Sequence, residues 1–217
     1  MTERQRAGTF FDGFAETFDT LYDGKRSPFM RWVDRRWRSD MFIRFARTFD
    51  MLDPMAGKTV LDLGCGSGPY LAEALELDAE LVTGVDPAPT MLDLARRRLG
   101  AMGEPPRWQL VEGYFPEVKL EEHDYAIVMG VLDYIEDPER FLSALRPLVR
   151  DKAVLSFPSR HWFRTPIRKV RYRLRNCPVF FYDALRIQNL AERAGFSRVD
   201  VHKIPGAGMD YHVCLST

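Results

Sequence analysis

The stretch Val60-Leu61-Asp62-Leu63-Gly64-Cys65-Gly66-Ser67-Gly68 carries an acid inside an apolar run, with three glycines at alternate positions just beyond it. Such a run reads as a strand that ends in a glycine turn and opens into a helix, with Pro69 in the first helical turn. Glycine is needed in that turn when backbone, not side chain, must touch a ligand. Asp86 ends a second apolar run eighteen residues after Gly68. A carboxylate there can accept both hydroxyls of a ribose lying across the strand ends, and the alternative is an N-cap for a helix beginning near Pro89. Dinucleotide turns place their third glycine three residues after the second, where this chain has Pro69, so the spacing argues against a nicotinamide-dependent dehydrogenase.

These residues must be held by alternating strands and helices. Apolar runs at 59–63, 81–86, 108–111, 125–129 and 153–157 predict five strands, separated by helical patterns at 69–77, 91–99 and 141–149. A further helix over 184–194 stops at Gly195, and strands near 199–204 and 211–215 are close enough for a hairpin around Pro205-Gly206-Ala207-Gly208. The expectation is an α/β fold: a Rossmann-like, doubly wound, seven-stranded, mainly parallel sheet with a C-terminal antiparallel hairpin and N-terminal helices. Residues 58–217 form that domain. Residues 1–57 precede it, and there Phe10, Phe11, Phe14, Phe18 and Tyr22, then Met41, Phe42, Phe45, Phe49 and Leu52, recur at helical spacing. They predict amphipathic helices packed on the core, with a lid over the ligand as an added role.

The quoted motifs, Leu61-Asp62-Leu63-Gly64-Cys65-Gly66-Ser67-Gly68 and then Gly84-Val85-Asp86, resemble the first two motifs of class I S-adenosylmethionine-dependent methyltransferases. Asp124-Tyr125-Ala126-Ile127-Val128-Met129-Gly130-Val131-Leu132 is similar to that family's fourth-strand motif, and Leu190 to Phe196 to its last helix turn. The resemblance implies S-adenosylmethionine as cofactor. It places the methionine portion against Gly64, Gly66 and Gly68, with Asp62 organising the turn or meeting the amino group, Asp86 on the ribose, and adenine near Ala88 and Met91. Cys65, Pro87, Gly113, Met129 and, from the lid, Tyr22 complete the expected cofactor contacts. Tyr114 stands where many relatives have an aspartate after the glycine, so the adenine N6 contact falls to Tyr114 or to a backbone carbonyl.

Methyl transfer is an in-line displacement at a carbon activated by the sulfonium, which leaves orientation and water exclusion to the protein. A general base is required only if the acceptor carries its proton at neutral pH, and the candidates are Tyr134 and Asp133 beyond the fourth strand and His161 beyond the fifth. His123, His202 and His212 are expected in solvent-facing or structural roles, and Cys65 is expected to be small rather than reactive.

Lys+Arg and Asp+Glu are balanced at 31 each, which argues against nucleic acid as a partner for the chain as a whole. The one strong asymmetry is local. No acid lies between Asp151 and Asp183, while Arg160, Arg164, Arg168, Lys169, Arg171, Arg173 and Arg175 crowd residues 160–176. That basic segment is expected on the acceptor side, reading an anionic or lipid-linked small molecule. RNA methylation and a non-catalytic cofactor-binding role are the alternative functions. Three scattered cysteines predict neither a disulfide framework nor a structural metal, and with no signal-like or membrane-length apolar run the expected location is the cytoplasm.

Overall fold

A computed structural model of the protein describes residues 39–102, 107–159, 180–204 and 210–217. Tyr22, His161, the whole basic segment 160–176 and the hairpin tip lie outside the described residues. So do Phe10, Phe11, Phe14 and Phe18.

The described elements are α1 (Ser39–Met51), β1 (Thr59–Leu63), α2 (Pro69–Glu76), β2 (Leu81–Asp86), α3 (Pro89–Gly100), β3 (Trp108–Glu112), β4 (His123–Val128), α4 (Pro138–Leu145), β5 (Val149–Phe157), α5 (Ala184–Arg193), β6 (Arg198–Lys203) and β7 (Tyr211–Ser216). They build the expected seven-stranded sheet in the order β3-β2-β1-β4-β5-β7-β6. The first five are parallel, and β7 enters antiparallel between β5 and β6. From β1 the chain winds outward through β2 to β3, then returns to place β4 on the other side of β1. The strand order therefore reverses between β1 and β4, and a crevice opens beyond their C-terminal ends, which is where α/β sheets of this type bind ligands.

Strands covered on both faces need continuous apolar runs. In β1 and β2 every residue after the first is buried, whereas the edge strand β3 has no buried residue. Alternate residues of the central strands feed two cores. Leu61, Leu63, Ala126 and Val128 pack with Leu142 and Ile187 of α4 and α5. Val60 and Ile127 pack on the other face with Phe49, Leu71 and Leu92 of α1, α2 and α3. Phe45, Phe49 and Tyr70 join α1 to α2 through ring contacts of 4.8 to 6.0 Å. Phe42, expected in the same apolar stripe, is instead 54% exposed.

The boundaries shift most around the fourth helix and the strand after it, which starts at Val149 and not at Ala153. The helix expected over 141–149 starts at Pro138, because the Asp137 side chain caps it by accepting from Arg140 N–H. It ends at Leu145, because Pro147 has no N–H to continue the ladder, and Arg146–Leu148 form a single tighter turn leading into β5 at Val149.

Of the three histidines among the described residues, two are sealed inside. His123 donates from Nδ1 to the Glu121 carbonyl and accepts from the Thr83 hydroxyl at 2.7 Å, an arrangement suited to the neutral ring. His212 Nε2 lies 3.2 Å from the Thr48 hydroxyl, which itself donates to Arg44 O, so Nε2 carries the proton. Buried Nδ1 then has no partner. Burial first, and then the cations Arg44, Arg47 and His202, hold the His212 pKa at about 3. His212 therefore stabilises the fold fully above its unfolded pKa of about 6.5 and progressively less as pH falls towards about 3, at up to about 1.4 kcal/mol per pH unit. Denaturant unfolding between neutral pH and pH 4 is expected to show this loss, and His212→Gln is expected to remove most of that slope while lowering stability at neutral pH.

Candidate functional site

The glycine turn is fastened to β2 before any ligand is considered. Gly64 and Cys65 donate their N–H groups to Val85 O at 2.7 and 3.1 Å, and Gly68 N–H donates to Cys65 O at 3.0 Å. Gly64, Gly66 and Gly68 have φ of 76°, 54° and 74°, the left-handed region in which a side chain is strained. Their surroundings differ. A Cβ on Gly64 would lie 2.4 Å from Val131 Cγ2, and one on Gly68 would lie 3.2 Å from Ala95 Cβ, but one on Gly66 would meet nothing within 4 Å. Gly66 thus keeps open space in front of the backbone. Gly84 in β2 serves the same approach from behind, since a Cβ there would collide with Leu71, Cys65 and Leu110.

Asp86 ties this turn to the next. Its Oδ2 accepts from Gly66 N–H at 2.9 Å and its Oδ1 from Ala88 N–H at 2.9 Å. Ala88, with no side-chain cap, occupies the N-cap position of α3, so Asp86 braces the loop and does not cap the helix. Asp62 sits behind the turn, 1% exposed, and its Oδ2 has no hydrogen-bond partner. Burial, reinforced by the nearby Asp86 carboxylate, raises the Asp62 pKa well above the usual carboxylate range. The Cys65 thiol is likewise pushed up, by burial first and by the two carboxylates second, so it is not a nucleophile at neutral pH.

The other expected cofactor residues gather at the same edge of the sheet. Met91 and Ala88 are buried together at the start of α3, and Pro87 is half-buried between them and Asp86. Gly113 N–H donates to Asp86 O at 3.1 Å, which brings the end of β3 to the end of β2. Half-buried Tyr114 follows it, and its hydroxyl is raised above the ordinary tyrosine range by burial and then by Asp86 and Glu117. Met129 leaves β4 packed on the α1 side of the core. Asp133 is buried and Tyr134 half-buried in the loop that follows, across the crevice from the glycine turn.

Two residues outside the expected set hold that loop. Ser156 Oγ accepts from Gly130 N–H at 2.8 Å, and the Tyr182 hydroxyl lies 3.3 Å from Leu132 O and 3.5 Å from Ile135 O. In the sequence, Ser156 is one polar residue inside a strand and Tyr182 the end of an aromatic run, so both read as core.

Against known proteins, residues 61–155 match a family model described as a methyltransferase domain. The chain is 37% identical over 124 residues to a tRNA U34 carboxymethyltransferase of Idiomarina loihiensis, covering 55% of this chain and 37% of that protein. It is 33% identical over 139 residues to the enzyme of the same name from Cronobacter sakazakii, covering 61% and 42%. The matches thus span about two fifths of the length of these curated relatives. Among solved structures, magnesium protoporphyrin IX methyltransferase from Synechocystis PCC 6803 with bound SAH superposes with a TM-score of 0.78 at 19% identity, over 99% of this chain and 98% of that one. An S-adenosylmethionine-dependent methyltransferase from Mesorhizobium loti gives 0.64 at 20% identity, over 77% and 94%. At these identities the likeness is one of fold.

The glycine geometry separates two substitutions. Gly66→Ala is expected to cost about 1–2 kcal/mol of stability, the left-handed strain alone. Gly64→Ala is expected to cost more, because Val131 must also move, and thermal melts of the two variants check the order. Asp86→Ala removes the acceptor from two backbone N–H groups, with charge-assisted bonds worth roughly 1.5–3 kcal/mol each. It is expected to lower stability and to weaken nucleoside binding at least about tenfold, as calorimetry would read.

Proposed function

Because this chain carries a class I S-adenosylmethionine-dependent methyltransferase domain, we propose that it transfers the methyl group of S-adenosylmethionine to a nucleotide of RNA, with tRNA as the acceptor. The observation that carries the acceptor is the identity to proteins named tRNA U34 carboxymethyltransferase, 37% in one and 33% in another. This corrects the expectation of a small anionic or lipid-linked metabolite and the argument from zero net charge against nucleic acid. A whole-chain charge averages over surfaces that never meet the acceptor, whereas phosphate contact needs only a local excess of cations.

The residues present fit S-adenosylmethionine. Open space before Gly66 admits close approach of the cofactor to the backbone, and buried Asp62 Oδ2 has an acceptor lone pair free for the cofactor's ammonium group. Asp86 ends β2 beside the glycine turn that it braces, the place from which a carboxylate accepts ribose hydroxyls in folds of this type. Ala88, Pro87, Met91, Gly113 and Tyr114 would enclose the adenine. When bound, the sulfonium supplies a methyl carbon open to displacement.

This chain's own residues then have three tasks. The glycine turn orients the donor, apolar Val131 and Met129 keep water from the strand ends, and Asp133 or Tyr134 takes up the proton that the accepting atom releases. The basic sequence at 160–176 supplies phosphate contacts. It leaves the described fold at Ser159 and returns at Phe180, and Ser159 pairs with Tyr182 beside the acceptor loop. An enzyme acting on tRNA belongs in the cytoplasm, and no helix among the described residues is long and apolar enough to cross a membrane.

Incubation of the protein with S-adenosylmethionine and unmodified tRNA, followed by nucleoside mass spectrometry, is expected to show one nucleoside heavier by a methyl group. A gain of a carboxymethyl group would keep the acceptor and change the donor, and no modified nucleoside would overturn the reading. tRNA affinity is expected to fall steeply with added salt, and replacing Arg164, Arg168, Arg171 and Arg175 by Gln is expected to flatten that dependence by close to one unit of log–log slope per lost phosphate contact.

A further inference from the structure

The loop after β4 has to do two things in the proposed reaction: carry Asp133 and Tyr134 to the acceptor, and stand at a set distance from the donor. Its contact with the donor side is direct. Val131 packs so tightly over Gly64 that no Cβ fits between them, so any shift of the loop away from the sheet separates the acceptor groups from the glycine turn. Misplacement of reacting groups by about 1 Å can cost about a hundredfold in rate.

What keeps the loop in place comes from elsewhere in the chain. At its first residue, Gly130 N–H donates to the buried hydroxyl of Ser156 on β5 at 2.8 Å. Farther along, the Tyr182 hydroxyl shares its one proton between the carbonyls of Leu132 and Ile135. Phe180 N–H donates to Asp133 O at 2.9 Å, and Tyr182 N–H donates to Pro158 O at 2.9 Å. The loop is therefore gripped before and after Val131, and on both sides of Asp133 and Tyr134. Tyr182 is well suited to hold it, being 2% exposed, set edge-on against Phe157 at 5.1 Å, and covered by the Arg186 guanidinium at 5.0 Å. Burial pushes its hydroxyl up to about 12, so it remains a proton donor throughout the working pH range.

We propose that Ser156 and Tyr182 are positioning residues for group transfer, clamping Gly130–Ile135 against the glycine turn so that Asp133 and Tyr134 meet the acceptor at a fixed distance from the donor. The proposal rests on the reading of this loop as the acceptor side. Neither side chain touches the reacting atoms; each acts through backbone it holds. Their positions also couple the loop to the two points where the basic sequence joins the fold, since Ser159 and Phe180 flank the same clamp.

Tyr182→Phe and Ser156→Ala each remove one hydroxyl and keep the packing volume close to that of the native side chain. Each is expected to speed hydrogen exchange of the amides from Gly130 to Ile135, to lower kcat for tRNA methylation about threefold to tenfold, the worth of one such hydrogen bond, and to leave S-adenosylhomocysteine affinity unchanged. Ile187→Val, in the same apolar cluster as Leu132 and Ile135 but with no hydroxyl to bond the loop, controls for loosened packing and is expected to leave kcat unchanged. Unaltered loop exchange in both hydroxyl variants would overturn the clamp, and so would an equal loss of kcat in Ile187→Val. If the wild-type protein modifies no RNA, the reading of its function fails, while the exchange comparison still decides whether the clamp exists.

Discussion

The carboxylate of Asp86 accepts one hydrogen bond from Gly66 and one from Ala88, each 2.9 Å long, and through them one side chain joins the ends of β1 and β2. The glycine turn depends on that bond. Three residues in the left-handed region have little intrinsic reason to stay there, and the N–H groups they present must be satisfied by something. Val85 O takes the one at Gly64, Cys65 O the one at Gly68, and Asp86 the one at Gly66, the position facing open space. The same carboxylate sits close enough to Asp62 and Tyr114 to raise both their pKa values, though burial is the larger cause in each case. Both shifts favour the protonated, neutral forms of Asp62 and Tyr114.

On the far side of the crevice the same problem is solved differently. The loop after β4 makes a bond of its own, Tyr134 N–H to Val131 O, and is held from outside by β5 and by the residues before α5. Packing of Val131 on Gly64 joins the two halves. The crevice between β1 and β4 is accordingly a contact between a turn fixed by charge and a loop fixed by neutral hydrogen bonds. These respond differently to perturbation, since the first depends on the ionisation of Asp86 and the second on hydroxyl geometry.

The acceptor is the place where charge arithmetic and relatedness pulled apart. Equal numbers of acids and bases pointed away from nucleic acid, yet the matched relatives are named for a tRNA position. Under the proposed reading the basic sequence at 160–176 would reconcile the two, because phosphate recognition follows the local density of arginines and not the chain total. The chain matches only about two fifths of those relatives, so its acceptor contacts need not follow theirs beyond the shared part.

Much of the fold was legible in the residues. Buried strands announce themselves as apolar runs, and a turn that must approach a ligand closely leaves only glycine at its tightest points, so β1, β2, Gly64 to Gly68 and Asp86 could be placed from spacing alone. The sheet with its terminal antiparallel pair followed from the alternation of runs. Other features depended on residues distant in the chain: the Asp86 bonds to Gly66 and Ala88, the unpartnered Asp62 oxygen, the sealed His123 and His212, the exposed Phe42, and the Ser156 and Tyr182 bonds to the acceptor loop. A serine within a strand or a tyrosine after two phenylalanines carries no mark of its partner. Only the tertiary structure, by stacking β5 and the start of α5 beside β4, decided that their hydroxyls meet backbone groups 26 and 50 residues away.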